Sequence, residues 1–363
     1  MRPSPVGIVL ALLALGTVVA TGQEPAGQHD SSGARRRVFP VPVVAYAPET
    51  GLQLGVAVVA VWSPSLRARA RPSTALLTAV YTVKHQYTLS LWTDRWSRGD
   101  RWHVTGEVGL TRFPSGFHGI GAAATDSSEP YTPQTAYLTA SVQRRLGRQV
   151  YIGAGYAIRH TRMVETAPGG LLAAGTIVGS RGGTEAVVTL EGILDTRDAL
   201  YMTRRGAYLR LAGGAAGAAV GADHAYRRLT GDVRAYRAVG PAVVAAQLFV
   251  DATDGAVPFE LLPRLGGQSL LRGYTEPRFR DGAMGAGQVE VRAPVAGIFG
   301  AAIFLGAGTT APSFADLSRG VVRVTGGVGT RILLDRAAGL QLRLDYAWAR
   351  GGGAFYVAAG DAF

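Results

Sequence analysis

The sequence predicts an all-β protein: a transmembrane antiparallel β-barrel of about 16 strands. Three observations carry this expectation. Apolar and polar residues alternate with period 2 in segment after segment. The connections between those segments are alternately short and long. The chain is 47% hydrophobic and only 17% charged, yet no run of about 18 apolar residues follows residue 20, so no helix spans a bilayer in the mature protein. Fifty glycines, set inside the apolar segments rather than between them, argue against helices.

The first residues stand apart. Met1-Arg2 gives a positive start, Val6 to Ala20 an apolar core, and Val18-Val19-Ala20 a small-residue cleavage site. Residues 1–20 therefore read as a signal peptide for export, cleaved from the mature chain. Residues 21–38 are polar and read as a disordered periplasmic lead-in. The barrel is expected over 39–363, and so short a lead-in leaves no room for a separate periplasmic domain.

Alternation sets the strands. In Leu340–Trp348 the residues Leu340, Leu342, Leu344, Tyr346 and Trp348 share one face, and Gln341, Arg343, Asp345 and Ala347 the other. Val289, Val291 and Ala293 alternate with Gln288, Glu290 and Arg292. Val104, Val108 and Leu110 oppose His103, Thr105, Glu107 and Thr111. Val150, Ile152, Ala154, Tyr156 and Ile158 oppose Tyr151, Gly153, Gly155 and Arg159. Strands are expected at 39–47, 51–62, 73–83, 86–96, 101–113, 134–146, 149–163, 183–195, 206–219, 225–239, 242–254, 285–295, 299–309, 321–335, 340–350 and 353–363. They average about 11 residues, enough for a tilted crossing of a bilayer. The three longest connections, 114–133, 164–182 and 255–284, follow odd-numbered strands, as in outer-membrane barrels with long extracellular loops and tight periplasmic turns. A soluble sandwich has no reason to obey that rule.

The last strand puts Phe355, Val357, Ala359 and Phe363 on one face, with Gly360 between. A terminal aromatic after an alternating strand resembles the C-terminal signal by which outer-membrane barrels are recognised for assembly.

Charge and cysteine content narrow the partners. An exported chain without cysteines relies on architecture rather than disulfides, and thiolate metal sites are excluded. The net charge of +12 rests on arginine, Lys84 being the one lysine. Dispersed arginines on an exported chain point to anionic lipid head groups, lipopolysaccharide and a polar lumen rather than nucleic acid. No cofactor or metal is expected. The histidines His29, His85, His103, His118, His160 and His224 lack metal-ligand spacing with acids. His103 and Glu107 share a strand face and could form a proton-transfer pair or, more simply, a lumenal hydrogen bond. Gly306-Ala307-Gly308-Thr309-Thr310-Ala311 follows a strand but no helix follows it, so it is not a dinucleotide site. No enzyme is expected.

The most specific segment is Leu262-Pro263-Arg264-Leu265-Gly266-Gly267-Gln268-Ser269-Leu270-Leu271-Arg272-Gly273-Tyr274, followed by Arg278-Phe279-Arg280-Asp281 and Glu290-Val291-Arg292. A lumenal Arg272 stays charged and seeks a carboxylate, and Glu290 faces inward by the alternation. Gly273 permits a sharp turn or a close approach to the wall, and Tyr274 can pack while its hydroxyl finds a partner. These residues resemble the bacterial surface antigen family, the BamA- and TamA-like barrels. Tyr46-Ala47-Pro48-Glu49-Thr50-Gly51, Asp195-Thr196-Arg197-Asp198 and Arg205-Gly206 extend the resemblance across the mature chain.

The resemblance implies 16 strands and a long sixth extracellular loop folded into the lumen. That loop would be locked by Arg272, Gly273, Tyr274 and Glu290 and flanked by Gly266, Gly267, Arg280 and Asp281. It also implies a second acid in a Phe-x-Asp-x-Gly pattern. Phe304-Leu305-Gly306-Ala307-Gly308 has Gly306 there instead, which implies a weaker lock. The function implied is outer-membrane biogenesis, by a monomer acting on client barrel proteins or with periplasmic partner proteins. A passive pore is the alternative, and an outer-membrane hydrolase a distant third.

Overall fold

Backbone pairing runs from each strand to its successor, antiparallel throughout, so the sheet grows around an axis in chain order. The structure, a computed structural model, describes residues 35–47, 51–63, 73–125, 127–199, 202–274, 278–335 and 340–363. The expected signal peptide and residues 21–34 of the lead-in lie outside the described residues, as do Pro48 to Thr50.

The strands are β1 (Arg35–Ala47), β2 (Gly51–Ser63), β3 (Ser73–Thr82), β4 (Tyr87–Trp96), β5 (Trp102–Arg112), β6 (Ser115–Phe117), β7 (Glu129–Arg145), β8 (Val150–Thr166), β9 (Gly182–Asp195) and β10 (Gly206–Ala216). They continue as β11 (Tyr226–Val239), β12 (Ala242–Gly255), β13 (Arg264–Leu265), β14 (Phe279–Arg280), β15 (Ala283–Ala296), β16 (Phe299–Ala311), β17 (Arg323–Asp335), β18 (Leu340–Ala349) and β19 (Gly352–Ala359). Short β6 pairs with the start of β7, and β13 pairs only with β14 inside the connection from β12 to β15. The other 16 strands are the staves of the barrel. Among the described residues no ladder joins β1 to β19, though the two strands approach each other as a seam.

Two expectations about the ends are corrected. Residues 35–38, expected in the lead-in, already pair with β2. The last strand stops at Ala359, because Gly360 takes a left-handed φ of 73° and turns residues 360–363 out of the ladder. Phe363 therefore does not share the outward face of Phe355. It is buried with Ala362 against Tyr236 and Ala245, inside the barrel.

The packing is inverted relative to a soluble domain. Leu89 and Leu91 on β4, Leu209 and Leu211 on β10, Ile303 and Leu305 on β16, and Tyr346 and Trp348 on β18 all stand exposed on the outer face. Arg272, Arg280 and Arg343 are among the largest fully buried side chains. Such a surface is unfavourable in water and satisfied by hydrocarbon. Lipid offers no partner to an unpaired edge, which favours drawing β1 and β19 together at the seam. Among the described residues, no helix is long and apolar enough to cross a membrane.

On the inner face polar side chains bridge the staves. Asp94 Oδ1 lies 3.1 Å from His103 Nε2, and His103 Nδ1 lies 2.7 Å from Gln143 Oε1. Gln143 Nε2 donates to Glu191 Oε1 (2.8 Å), and Arg210 Nε donates to Glu191 Oε2 (2.7 Å). Glu107 instead accepts from the Tyr137 hydroxyl (2.7 Å), so His103 makes lumenal hydrogen bonds, the simpler of the two readings, with partners other than Glu107. The bridge from β7 to β9 must pass over β8, and Gly153 leaves it room. A Cβ there would stand 2.7 Å from Gln143 Cγ.

Gly153→Val should push this bridge apart and lower barrel stability by roughly 1–3 kcal/mol. Gly147→Val, in an open turn with nothing near its Cβ, should leave it unchanged. The midpoint of heat-induced unfolding in detergent, followed by gel mobility, checks both.

Candidate functional site

The connection between β12 and β15, residues 256–282, is the sixth on the end of the barrel that carries the long loops. Its root is fixed among neighbouring loops. Phe259 is fully buried and packs with Phe117, Tyr131 and Leu172. The Phe259 amide donates to the Val178 carbonyl (2.9 Å). Arg280 is buried between the rings of Phe117 and Phe259, at 5.4 and 5.3 Å, and donates to the Phe259 carbonyl (3.1 Å). Asp281 accepts from the Gly282 amide (2.8 Å), and burial pushes its carboxyl up from the usual range. Gly121, from the loop holding β6, lies against that carboxylate.

From this root the chain descends into the lumen. Leu265, Leu270, Leu271 and Tyr274 pack with Phe249 on β12 and with Met284 and Ala286 on β15. Gly266 and Gly267 both adopt positive φ, at 117° and 106°. The Gly267 amide donates to the Tyr274 carbonyl (3.0 Å), closing the tip on itself. Gln288 Nε2 donates to the Ser269 carbonyl (2.8 Å).

Arg272 sits at the lowest point, and its guanidinium divides between two strands. Nη2 donates to Glu290 Oε2 on β15 and Nη1 to Asp345 Oδ2 on β18, both at 2.6 Å. Arg331 on β17 makes the same division from the wall, donating to Glu290 Oε1 and Asp345 Oδ1, both at 2.7 Å. Arg272, Glu290, Arg331 and Asp345 thus form a closed ring of alternating charge. Arg292 donates to Glu290 Oε1 (2.9 Å), and Arg343 lies 3.3 Å from Asp345 Oδ2. Each carboxylate oxygen of Glu290 and Asp345 therefore faces a guanidinium, which is what a buried anion requires. The Phe304 ring on β16 lies flat beneath Arg272, its centroid 3.4 Å from Cζ.

Space for the ring comes from missing side chains on β17. A Cβ on Gly329 would meet Asp345 Oδ1 at 2.1 Å, and one on Gly327 would meet the Phe304 ring at 2.1 Å. Gly273 is constrained twice over. Its φ is 110°, and a Cβ would press on Trp348 and Ala349 of β18 at 3.1–3.2 Å. Its amide donates to the Tyr356 hydroxyl on β19 (3.0 Å), so the tip also touches the stave at the seam.

The structure brings together Arg272, Gly273, Tyr274 and Glu290 from the motif. It departs from the sequence reading at the second acid. Gly306 leaves room for Leu271, whose Cδ1 would stand 3.2 Å from a Cβ at that position. The carboxylate comes from Asp345, two staves further on, so the lock is not short of an acid. Arg331 and Tyr356 were not named from sequence; Asp345 was read only as inward-facing with Gln341, Arg343 and Ala347, and Phe304 only as the first residue of the pattern around Gly306. Among the expected assembly-signal residues, Phe355 faces outward, and Phe363 lies inside with Arg292 Cζ 5.4 Å from its ring centroid.

The Asp195–Gly206 turn at the opposite end is also built. Arg197 donates to both oxygens of Asp195 (2.9 and 3.0 Å) and covers the Tyr208 ring. Among the described residues no group of three or more His, Asp or Glu could hold a metal ion.

Residues 69–363 match the Omp85 superfamily domain. The chain belongs to the Omp85 superfamily. Its fold is similar to that of BamA from Haemophilus ducreyi lacking POTRA domains 1–3, at TM-score 0.60 and 14% identity, over 91% of this chain and 70% of that one. CdiB from Escherichia coli gives TM-score 0.59 at 10% identity, over 90% of this chain and 62% of that one. CdiB from Acinetobacter baumannii gives 0.53 at 8%, over 90% and 59%. This Omp85 chain thus spans less than two thirds of either CdiB chain. No curated protein matches its sequence. At such identities the likeness is one of fold, the fold of outer-membrane barrels.

Arg272→Ala leaves Glu290 and Asp345 facing an unfilled position. Removing one partner of a buried charge network costs on the order of 3–5 kcal/mol. Arg272→Lys should rescue little, because one ammonium cannot divide between two strands as the planar fork does. Gly329→Ala should mimic part of the defect through its clash with Asp345. Limited proteolysis within 256–282 on folded protein checks all three: faster cleavage is expected in each.

Proposed function

We propose that this Omp85 barrel serves outer-membrane biogenesis, assisting the insertion or translocation of other proteins. The superfamily supports a role of that class, and the resemblance of the Arg272-Gly273-Tyr274 motif to surface antigen barrels supports it further. The observation that carries the reading is the lock itself. Arg272 ties a loop from one end of the barrel to staves β15 and β18, and the neighbouring Gly273 amide reaches β19 at the seam. A passive pore has no need of such a tie, and a loop of this size packed into the lumen obstructs steady flow. The loop tip can hold the wall in one arrangement beside the seam, where no ladder among the described residues does so.

On this reading residues 1–20 direct export and are cleaved. The barrel works as a monomer beside phospholipid and lipopolysaccharide, and its clients are barrel proteins presented directly or by periplasmic partners.

Depletion followed by outer-membrane proteomics tests the role. Abundance of other barrels should fall; unchanged abundance contradicts the proposal. In planar bilayers the protein should give rare, brief openings, and Arg272→Ala should make them longer and more frequent. A large steady conductance of the unaltered protein would instead favour a pore.

A further inference from the structure

We propose a second site, at the rim of the barrel on the end with the short turns: a pocket for the phosphate of an anionic phospholipid. This end is periplasmic by the loop-length asymmetry, so the lipid belongs to the periplasmic leaflet. The proposal needs only the barrel in its membrane and does not depend on a biogenesis role.

A cavity of about 470 Å³ opens between the β4–β5 and β7–β8 turns, lined by Arg101, Trp102, Arg144, Arg145, Leu146, Gly147 and Arg148. Its size falls within the range of roughly 300–1,000 Å³ usual for small-ligand pockets. Backbone bonds set the frame. The Arg145 amide donates to the Arg101 carbonyl (2.8 Å), and the Leu146 amide to the Val150 carbonyl (2.9 Å). The Trp102 amide donates to Ser97 Oγ (2.9 Å). Trp102 and Arg144 are register partners on β5 and β7, with the Arg144 guanidinium 5.6 Å from the indole centroid.

The charge is uncompensated. Lumenal arginines such as Arg210, Arg228, Arg234, Arg272 and Arg331 each meet a carboxylate. Among the described residues no carboxylate pairs with Arg101, Arg144, Arg145 or Arg148. Four arginines lining one cavity that no carboxylate lines suit a phosphate, whose oxygens accept from the planar fork two at a time.

What lies beside the pocket decides between a free anion and a lipid. Leu146 is 58% exposed and Trp102 44%, at its lip. Val104, Val142, Val150 and Ile152 continue the exposed apolar face into the membrane band. An indole at that level is the usual marker of a head-group boundary. A ligand that fills the cavity with its phosphate can lay its acyl chains along this apolar strip. A soluble phosphate would leave the strip unused.

The test uses the full chain in neutral detergent, titrated with phosphatidylglycerol and, separately, phosphatidylcholine, with one-to-one adducts counted by native mass spectrometry. Phosphatidylglycerol should bind in preference. Arg144→Gln with Arg148→Gln should weaken it about 30-fold if each cation contributes as membrane-adjacent basic residues generally do. Arg162→Gln with Arg227→Gln, the same charge change at the opposite end, should not weaken it. Unaltered heat-dependent gel mobility establishes that each variant is folded. Equal binding of the two lipids, undiminished binding by the Arg144/Arg148 variant, or equal loss in the Arg162/Arg227 variant overturns the proposal. Displacement of the lipid by an equal concentration of inorganic phosphate overturns it too, by reducing the pocket to a free-anion site.

Discussion

A guanidinium buried in the barrel lumen must find carboxylates, and Arg272 finds two on strands that do not touch each other. That division between Glu290 and Asp345 is the constraint on which the rest of the lumen depends. Buried ion pairs contribute little net stability, because desolvation offsets the attraction. Their value lies in the alternatives they forbid: any position of the loop that withdraws Arg272 takes a partner from each of two buried carboxylates and leaves the guanidinium itself to find others. The ring with Arg331 therefore specifies where the loop sits more than it strengthens the barrel.

The glycine content follows from the same requirement. A stave whose inner face carries side chains at every second position would fill the space the ring needs. Gly327 and Gly329 clear it for Phe304 and Asp345, and Gly306 clears it for Leu271. Gly153 does the same for the Gln143–Glu191 bridge over β8. These glycines serve as gaps between side chains, which explains why they fall inside the apolar segments instead of at the turns. Gly273 is the different case, where both a positive φ and a close approach to β18 exclude a side chain.

Alternation carried the fold into view because lipid outside and polar lumen inside make every stave two-faced, and a period of 2 survives in the sequence without knowledge of its neighbours. Glu290 and Arg272 were legible for a related reason: one lies on an alternating strand, the other in a motif with unusual residues at fixed spacing. Asp345 was legible only as inward-facing. Which inward residue meets Arg272 depends on stave tilt and on how deep the loop reaches, and neither leaves a trace in a single strand. The substitution at Gly306 misled for that reason, since the acid had a geometrical equivalent on β18. Phe363 failed differently. Its alternation with Phe355 is real in sequence, but Gly360 can adopt left-handed backbone, and in a chain with 50 glycines nothing marks which of them will.

The docked loop tip is the central claim, and a cysteine-free chain allows it to be tested directly in the membrane. Leu271 Cδ1 would lie 3.2 Å from a Cβ on Gly306, so cysteines at these two positions stand within reach of a short thiol-reactive bifunctional reagent. The pair Leu271→Cys with Gly306→Cys, treated with that reagent in intact outer membranes and run on a denaturing gel, should give one faster-migrating, internally cross-linked species. Leu271→Cys with Thr105→Cys, on β5, should give none. Absence of the first cross-link, or equal yield from both pairs, would mean that the tip does not rest against the lumenal wall at β16, and the arrangement of the lumen described above would be wrong.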